Sequence, residues 1–243
     1  MGCMMKDRTK CLIIIPAYNE AENIEKVVDN IIQNYPQYDY VVVNDGSTDA
    51  TRKVCKKNRY QVLNLPINMG IGGAVQTGYC YARDNDYDIA VQIDGDGQHD
   101  VKFLVEMIAL IESGQADIVI GSRFVQKEGF QSSMFRRAGI KFLSNLGWIL
   151  TGVKVRDITS GYRVVNRRFI QIFARDYPAD YPEPEAMVIA AIHGGVIKEY
   201  PVVMKERENG TSSITFKRSV YYMIKVTLAM LIRRLSFGVR RQK

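Results

Sequence analysis

Residues 89–100 read IAVQIDGDGQHD. An apolar, β-branched run, Ile89, Val91 and Ile93, gives way to two carboxylates, Asp94 and Asp96, separated by Gly95 and followed by Gly97, Gln98, His99 and Asp100. Alternate residues of extended chain point the same way, so the two acids face one point at the end of a strand. Carboxylates that close repel unless a cation lies between them. The glycines let the backbone turn and let a bulky ligand come near. Two simpler readings compete. One is a plain acidic turn. The other is a calcium loop of the EF-hand type, which needs Gly at its sixth position and Glu at its twelfth. Counted from Asp94 those positions hold His99 and Val105, and the calcium loop is excluded.

The segments on either side decide between turn and ligand site. Cys11 to Ile15 is a short continuous apolar run, expected as a buried strand ended by Pro16. Asn19 is expected to cap a helix reaching about Gln33, with Ile24, Val27, Val28, Ile31 and Ile32 at helical spacing. Tyr40 to Val43 is a second strand and runs into Asn44-Asp45-Gly46-Ser47-Thr48-Asp49. A short helix, a strand over Tyr60 to Leu65, a glycine-rich loop over Asn68 to Ala74 and a helix to about Asn85 follow. Beyond the acidic stretch come a helix over Val101 to Ser113 and a strand over Asp117 to Ile120. Strictly alternating strands and helices predict a mostly parallel, Rossmann-like sheet flanked by helices. Ligands of such sheets bind beyond the carboxyl ends of the strands. Polar loops at three such ends, residues 16–20, 44–49 and 94–100, favour a ligand site over a plain turn. The glycines Gly70 and Gly72 fit neither a dinucleotide fingerprint nor a P-loop, because Val75 and the residues after it break both patterns. A tight packing loop and a donor-binding loop both remain open for them.

Charge is distributed unevenly over the 243 residues. From Asn209 onward there is no acid. Lys217, Arg218, Lys225, Arg233, Arg234, Arg240, Arg241 and Lys243 lie there, so the net charge of +7 resides in the tail and the body is close to neutral. A basic tail suits an anionic membrane surface or nucleic acid, but no nucleic-acid motif is present. Cys3, Cys11, Cys55 and Cys80 form no metal or disulfide framework. The stretch MGCMMKDRTK has no signal-peptide core, and no run approaches the ~18–20 apolar residues of a membrane span. The expectation is a cytoplasmic chain. Residues 134–150 and 220–235 are both amphipathic and basic, with Trp148, Tyr221 and Tyr222 suited to headgroup depth. They are expected either to lie on a membrane or to pack on the body or a partner.

Taken together, IIIPAYNEAENI, VVVNDGSTD, NMGIGGAVQTGY, QIDGDGQHD, GSRF and DITSGYR resemble the family 2 glycosyltransferases of the GT-A fold. The resemblance runs from about Cys11 to Leu235. QIDGDGQHD and RENGTSSI are similar to its polyprenyl-phosphate branch, which includes dolichyl-phosphate mannosyltransferases. KEGFQSS, DYPEPE and SVYYMIKVTLA are most like bacterial members that load N-acetylglucosamine or glucose onto undecaprenyl phosphate. The resemblance implies a tail over residues 1–10, a GT-A domain over 11–216 and a basic docking helix over 217–243. It also implies an inverting, metal-dependent hexosyl transfer from a nucleotide diphosphate sugar, UDP-linked by preference, to polyprenyl phosphate on the inner face of the cell membrane, for decoration of envelope glycans. A GDP-mannose-dependent enzyme and a sugar-nucleotide-binding protein without catalysis are the alternatives.

For matched positions it implies that Pro16, Ala17, Tyr18, Glu20, Asp45, Gly70, Gly72 and Asp94 line the donor pocket. Asp94, Asp96 and Gln98 hold Mg²⁺ or Mn²⁺. Arg123, Arg136 and Arg137 meet the lipid phosphate. Asp96, Arg207 and Asp157 serve the reaction, Arg207 by gripping the diphosphate. Where many relatives have Ser-Lys after the glycine of the late loop, this chain has Thr211-Ser212-Ser213-Ile214. A small integral membrane protein or a second copy of the chain are further partners implied for the last helix. Asp157 reads equally as a turn or capping acid. Glu183 and Glu185 read as acids at the head of a helix stiffened by Pro182 and Pro184. An ionised phosphate acceptor needs no strong general base, and only two histidines are present. His99 is expected to orient a ligand, and His193 to be structural.

Overall fold

The computed structural model describes residues 9–125, 134–180, 182–204 and 216–240. Seven strands form one sheet in the order β3-β2-β1-β4-β6-β5-β7: β1 Cys11–Ala17, β2 Asp39–Asn44, β3 Val62–Asn64, β4 Ile89–Gln92, β5 Ile118–Ser122, β6 Arg163–Asn166 and β7 Ile197–Pro201. The mostly parallel sheet expected from strand–helix alternation is present. The one reversed strand is β6, which runs antiparallel to both β4 and β5. Its reversal brings residues 157–162, which precede it, to the same edge as the carboxyl ends of β1, β2, β4 and β5.

Among the described residues eight α-helices flank the sheet: α1 Ile24–Asn34, α2 Thr51–Lys57, α3 Gly70–Asp84, α4 Leu104–Glu112, α5 Met134–Thr151, α6 Arg167–Arg175, α7 Pro182–Ile192 and α8 Phe216–Arg240. One core layer joins the sheet to α1, α2 and α4, through residues such as Ile24, Val28, Ile31, Leu104 and Ile108. The other joins it to α3, α5, α6, α7 and α8, through Tyr79, Leu143, Phe169, Met187, Val226 and Met230. Alternation along the central strands supplies both layers: Leu12 and Ile14 face one, Ile13 and Ile15 the other.

Three local expectations need correction. Pro16 does not end β1, which continues to Ala17 in register with Val43 and Asn44 of β2. Ile14 bonds toward β4, so the missing N–H of Pro16 faces that side too, where the β1–β4 ladder has already ended at Ile14 and Gln92. Asn19 does not cap a helix either. It sits at φ 57°, and the chain turns through residues 20–23 before α1 begins. The glycine segment is no loop but the first turns of α3. There a Cβ on Gly72 would lie 2.0 Å from the Pro178 carbonyl oxygen and 2.3 Å from that of Ala179. That contact supports the packing reading of Gly72.

The helices α5 and α8 run side by side in the same direction, since Gly139 meets Met223, Gly147 meets Met230 and Arg234 reaches Leu150. Small residues on α5 let α8 approach closely. The last helix is thus part of the packed body along one face, buried through Val226 and Met230 and held by Arg233 on Asp176 and Glu185.

Because backbone carbonyls fill the space beside Gly72, Gly72→Ala is expected to destabilise the fold by about 1–3 kcal/mol, the usual cost of overpacking. Urea unfolding followed by circular dichroism measures it, and an unchanged midpoint would refute the packing argument.

Candidate active site

Loops at the carboxyl edge are stitched together by side chains. Asn19 Oδ1 accepts from the backbone N–H of Thr48 (2.9 Å) and Asp49 (3.3 Å). The Asn19 N–H donates to Ser47 Oγ (3.0 Å), and that of Glu20 to Thr51 Oγ1 (2.9 Å). The loop after β1 is thereby fixed to the loop after β2. Asp45 is buried, and its Oδ1 accepts from the Met69 N–H at 2.7 Å, tying the β2 end to the head of α3. Pro16 and Ala17 are buried in the strand end, Tyr18 is exposed, and Glu20 accepts from the Asn23 side-chain amide at 2.8 Å. Gly70, at φ 78°, opens α3 beside Asn68, whose Oδ1 accepts from its N–H.

The acidic loop is folded around its own histidine. The Asp94 N–H donates to His99 Nδ1 at 3.0 Å, so Nε2 carries the proton, and it lies 3.7 Å from Asp94 Oδ2. The ring is stacked on Tyr162 with centroids 5.1 Å apart. Burial lowers the His99 pKa to about 4, and the imidazole is neutral at physiological pH. The neutral ring thereby braces the Asp94 backbone within the loop. Gly97 takes φ 76°, and Asp96 Oδ1 accepts from the Gln98 N–H at 3.0 Å. Gly95 passes so close to Pro16 that a Cβ would stand 3.0 Å from its carbonyl oxygen. No group of three or more His, Cys, Asp or Glu gathers at metal-binding distance among the described residues. The oxygen donors are Asp94, Asp96 and the amide of Gln98. Such a hard, incomplete set suits Mg²⁺ or Mn²⁺ completed by ligand phosphates and water.

Arg123, at the end of β5, and Asp157, before β6, form a two-point ion pair. Nε donates to Oδ2 at 2.7 Å and Nη2 to Oδ1 at 2.6 Å. The Arg123 N–H also donates to Oδ2, at 3.0 Å, while the Asp157 N–H donates to Glu199 Oε1 at 2.9 Å. Asp157 is 0% exposed and Arg123 8%. Both oxygens of Asp157 accept from Arg123, a geometry that fixes the orientation of the guanidinium. The guanidinium in turn lies within the electrostatic reach of Asp94. Arg137 is exposed on the first turn of α5, whereas the side chain of Arg136, and Arg207 with the Thr211 to Ile214 loop, lie outside the described residues.

Gly161, Gln92, Arg163 and Glu183 gather on the Asp94 side of the site, and of these Gln92, inside strand β4, carried no functional signal in the sequence. Gly161 lies so near that a Cβ there would be 3.1 Å from each Asp94 carboxylate oxygen and 3.2 Å from Gln92 Nε2. Gln92 and Arg163 are register partners across β4 and β6, so their side chains share a face. Glu183, in the first turn of α7, feels Arg163 and Asp94, and burial raises its pKa to about 7. Around it Tyr177 donates to Gln92 Oε1 at 3.4 Å, while Tyr79 Oη and Gln92 Nε2 have no hydrogen-bond partner among the described residues. The two prolines of the PEPE stretch conceal the distinction between its acids. Glu185 is the structural one, accepting from Arg233 at 2.9 Å, and Glu183 faces the site. Between pH 4.5 and 7 the unfolded chain ionises Glu183 while the native chain keeps its proton. Native stability is therefore expected to fall as pH rises through that window and to level off above it. Glu183→Gln should flatten this component in urea titrations run across pH, and identical profiles would contradict the burial argument.

Residues 12–173 match the family model described as Glycosyl transferase family 2. The polyprenol monophosphomannose synthase of Mycolicibacterium smegmatis is 30% identical over 227 residues, covering 89% of this chain and 85% of that one. The UDP-N-acetylglucosamine–dolichyl-phosphate N-acetylglucosaminyltransferase of Methanococcus voltae is 31% identical over 210 residues, covering 78% and 83%. Among solved structures, glucosyl-3-phosphoglycerate synthase from Mycobacterium tuberculosis in complex with Mn²⁺ and UDP-glucose superposes with a TM-score of 0.68 at 20% identity, covering 93% of this chain and 79% of that one. At that identity the superposition speaks for the GT-A fold alone. The site sits where that fold binds its ligands, at the carboxyl edge and topological break of the sheet, and the chain belongs to glycosyl transferase family 2, a family of sugar-transferring enzymes.

Proposed function

We propose that the protein transfers a hexosyl group, with inversion, from a nucleotide diphosphate sugar to a polyprenyl phosphate at a membrane surface. The observation that carries this reading is the buried, clamped guanidinium of Arg123 beside the Asp94–Gln98 loop. A fixed cation next to a carboxylate pair suits two anionic reactants, a diphosphate met through a metal ion and a monophosphate met by arginine. Asp94, Asp96 and Gln98 would hold the Mg²⁺ or Mn²⁺, which supplies charge neutralisation for the departing nucleoside diphosphate. Pro16, Ala17, Tyr18, Glu20 and Asp45 frame the nucleotide side, and Arg123 with Arg137 the acceptor side. The acceptor phosphate is largely ionised near neutral pH, its second pKa being about 6, and attacks without a strong base. Asp157 holds Arg123 in its planar orientation, and His99 holds the Asp94 backbone.

Two of the relatives carry names that specify polyprenol monophosphomannose and dolichyl-phosphate, and this supports the acceptor class. N-acetylglucosamine or glucose from a UDP-sugar is the preferred donor. The polyprenol monophosphomannose synthase makes GDP-mannose the second reading. No helix among the described residues is long and apolar enough to cross a membrane. The paired helices instead present an outward apolar stripe: Phe142 and Ile149 on α5, and Tyr221, Ile224, Leu228, Ile232 and Leu235 on α8. That stripe suits the interface between lipid headgroups and acyl chains, and supports a peripheral position on the inner face of the membrane, where envelope glycans begin.

Purified protein with Mn²⁺ or Mg²⁺, a short polyprenyl phosphate and a panel of UDP- and GDP-sugars should yield one metal-dependent sugar-lipid with inverted anomeric configuration. Asp96→Ala should lower turnover at least about a hundredfold, the scale of losing a preorganised charge-stabilising group. A retained configuration, or metal-independent transfer, would overturn the mechanism. Asp157→Asn should raise the KM for the lipid phosphate more than that for the donor, because it loosens Arg123. Equal changes in both would instead mark a general structural defect.

A further inference from the structure

At the far end of the paired helices the surface changes character. Trp148 is half exposed, Ile149 is 76% exposed and Leu235 69% exposed. Lys154 Nζ lies 5.6 Å from the centroid of the Trp148 ring. Arg156, two residues beyond Lys154 in the segment that follows α5, is exposed like Lys154, while the intervening Val155 is buried. Arg234 reaches across from α8 and donates to the Leu150 carbonyl at 2.8 Å. Among the described residues none of these three cations has a carboxylate partner, although Arg233, next in sequence to Arg234, is paired with Asp176 and Glu185. A helix C-terminus attracts basic side chains, and that accounts for Arg234. It does not account for Lys154 and Arg156, which lie past the helix end.

We propose that this corner is a second membrane anchor, specific for anionic phospholipid headgroups and separate from the acceptor-phosphate site at Arg123. The proposal rests on the membrane-surface reading above and adds the lipid class and the place of contact. The chemistry matches on three counts. Unpaired cations meet lipid phosphates, Trp148 sits at headgroup depth as an amphipathic ring, and Ile149 and Leu235 enter the acyl boundary. The two arms of contact, the apolar stripe and the basic corner, would fix the tilt of the helix pair and so the height of the catalytic edge above the bilayer.

The chain has a single tryptophan, so its fluorescence reports this corner directly. The test adds vesicles of phosphatidylcholine alone, or of phosphatidylcholine mixed with phosphatidylglycerol, to the full-length protein, and reads both co-sedimentation and the Trp148 emission maximum. Anionic vesicles should give a blue shift and the tighter binding, both weakened by salt. Each Lys or Arg at an anionic surface contributes about fivefold in affinity, so the Lys154→Gln/Arg156→Gln double variant should bind anionic vesicles roughly twenty-five-fold more weakly. Its binding to neutral vesicles, and its turnover on a water-soluble short-chain acceptor, should not change. Millimolar inorganic phosphate should compete poorly, since the corner reads an array of headgroups. Sedimentation without any Trp148 shift, or equal binding to both vesicle types, would overturn the anchor while leaving the membrane reading intact. Failure to sediment with either vesicle would overturn both.

Discussion

Everything at the catalytic edge depends on how buried charge is arranged around Asp157. A carboxylate with no exposed surface is strongly unfavourable alone, and it is tolerated here because each oxygen receives arginine hydrogen bonds and the backbone N–H of Arg123 adds a third. The same bonds remove the rotational freedom of a long cationic side chain. An arginine held that way presents charge to a ligand with little ordering left to lose on binding. Glu199 then fixes the Asp157 backbone from strand β7, so the clamp is anchored in the sheet itself. The pair spans two segments, the end of β5 and the approach to β6, that meet only because β6 runs backwards.

That reversal also explains the crowding around Asp94. A parallel strand beside β4 would place its start at the opposite edge, whereas β6 starts at the ligand edge and delivers Gly161 against the Asp94 carboxylate. A Cβ there would press on both carboxylate oxygens and push the Asp94 side chain aside. On the other flank, Gly95 lets the acidic loop pass Pro16. The neutral His99, wedged on Tyr162 and bonded to the Asp94 backbone, takes up the remaining slack. The loop is therefore shaped by its neighbours before any cation or phosphate arrives, which is the condition for electrostatic stabilisation to act without reorganisation.

Much of this was legible in the residues. Alternating apolar runs and polar turns gave the parallel sheet, and three polar loops after strands located its ligand edge. The acids of IDGDGQHD were readable because their spacing is local. What stayed hidden depended on contacts remote in sequence. Asp157 and Arg123 are 34 positions apart, and nothing near Asp157 distinguishes a clamp from a catalytic acid or a turn cap. For Gly72 a packing loop and a donor-binding loop stayed equally open because its neighbour, the 178–179 segment, lies about a hundred residues away. Glu183 and Glu185 share one helical turn, and only the position of Arg233 separates the acid that braces α8 from the acid that faces Asp94. Asn19 had the right residue type for a helix cap, but the loop after β2 offered its side chain better partners.

The last helix shows the same limit in its sharpest form. Its apolar residues recur at helical spacing around more than one face, so the sequence supports burial on the body and exposure to lipid equally well. The structure divides them. Val226 and Met230 point inward, while Tyr221, Ile224, Leu228, Ile232 and Leu235 point out. A helix that used only its inner face would have no need of five large apolar residues on the other, since exposed patches of that size mark interaction surfaces. A helix that served only a membrane would not carry Arg233 locked to Asp176 and Glu185. Because both faces are committed, the helix joins the surface stripe mechanically to α7, whose first turn carries Glu183 beside Asp94. The outward stripe and the acidic loop are thereby coupled through one packed assembly, which is what the proposed transfer from a sugar nucleotide to a lipid phosphate requires.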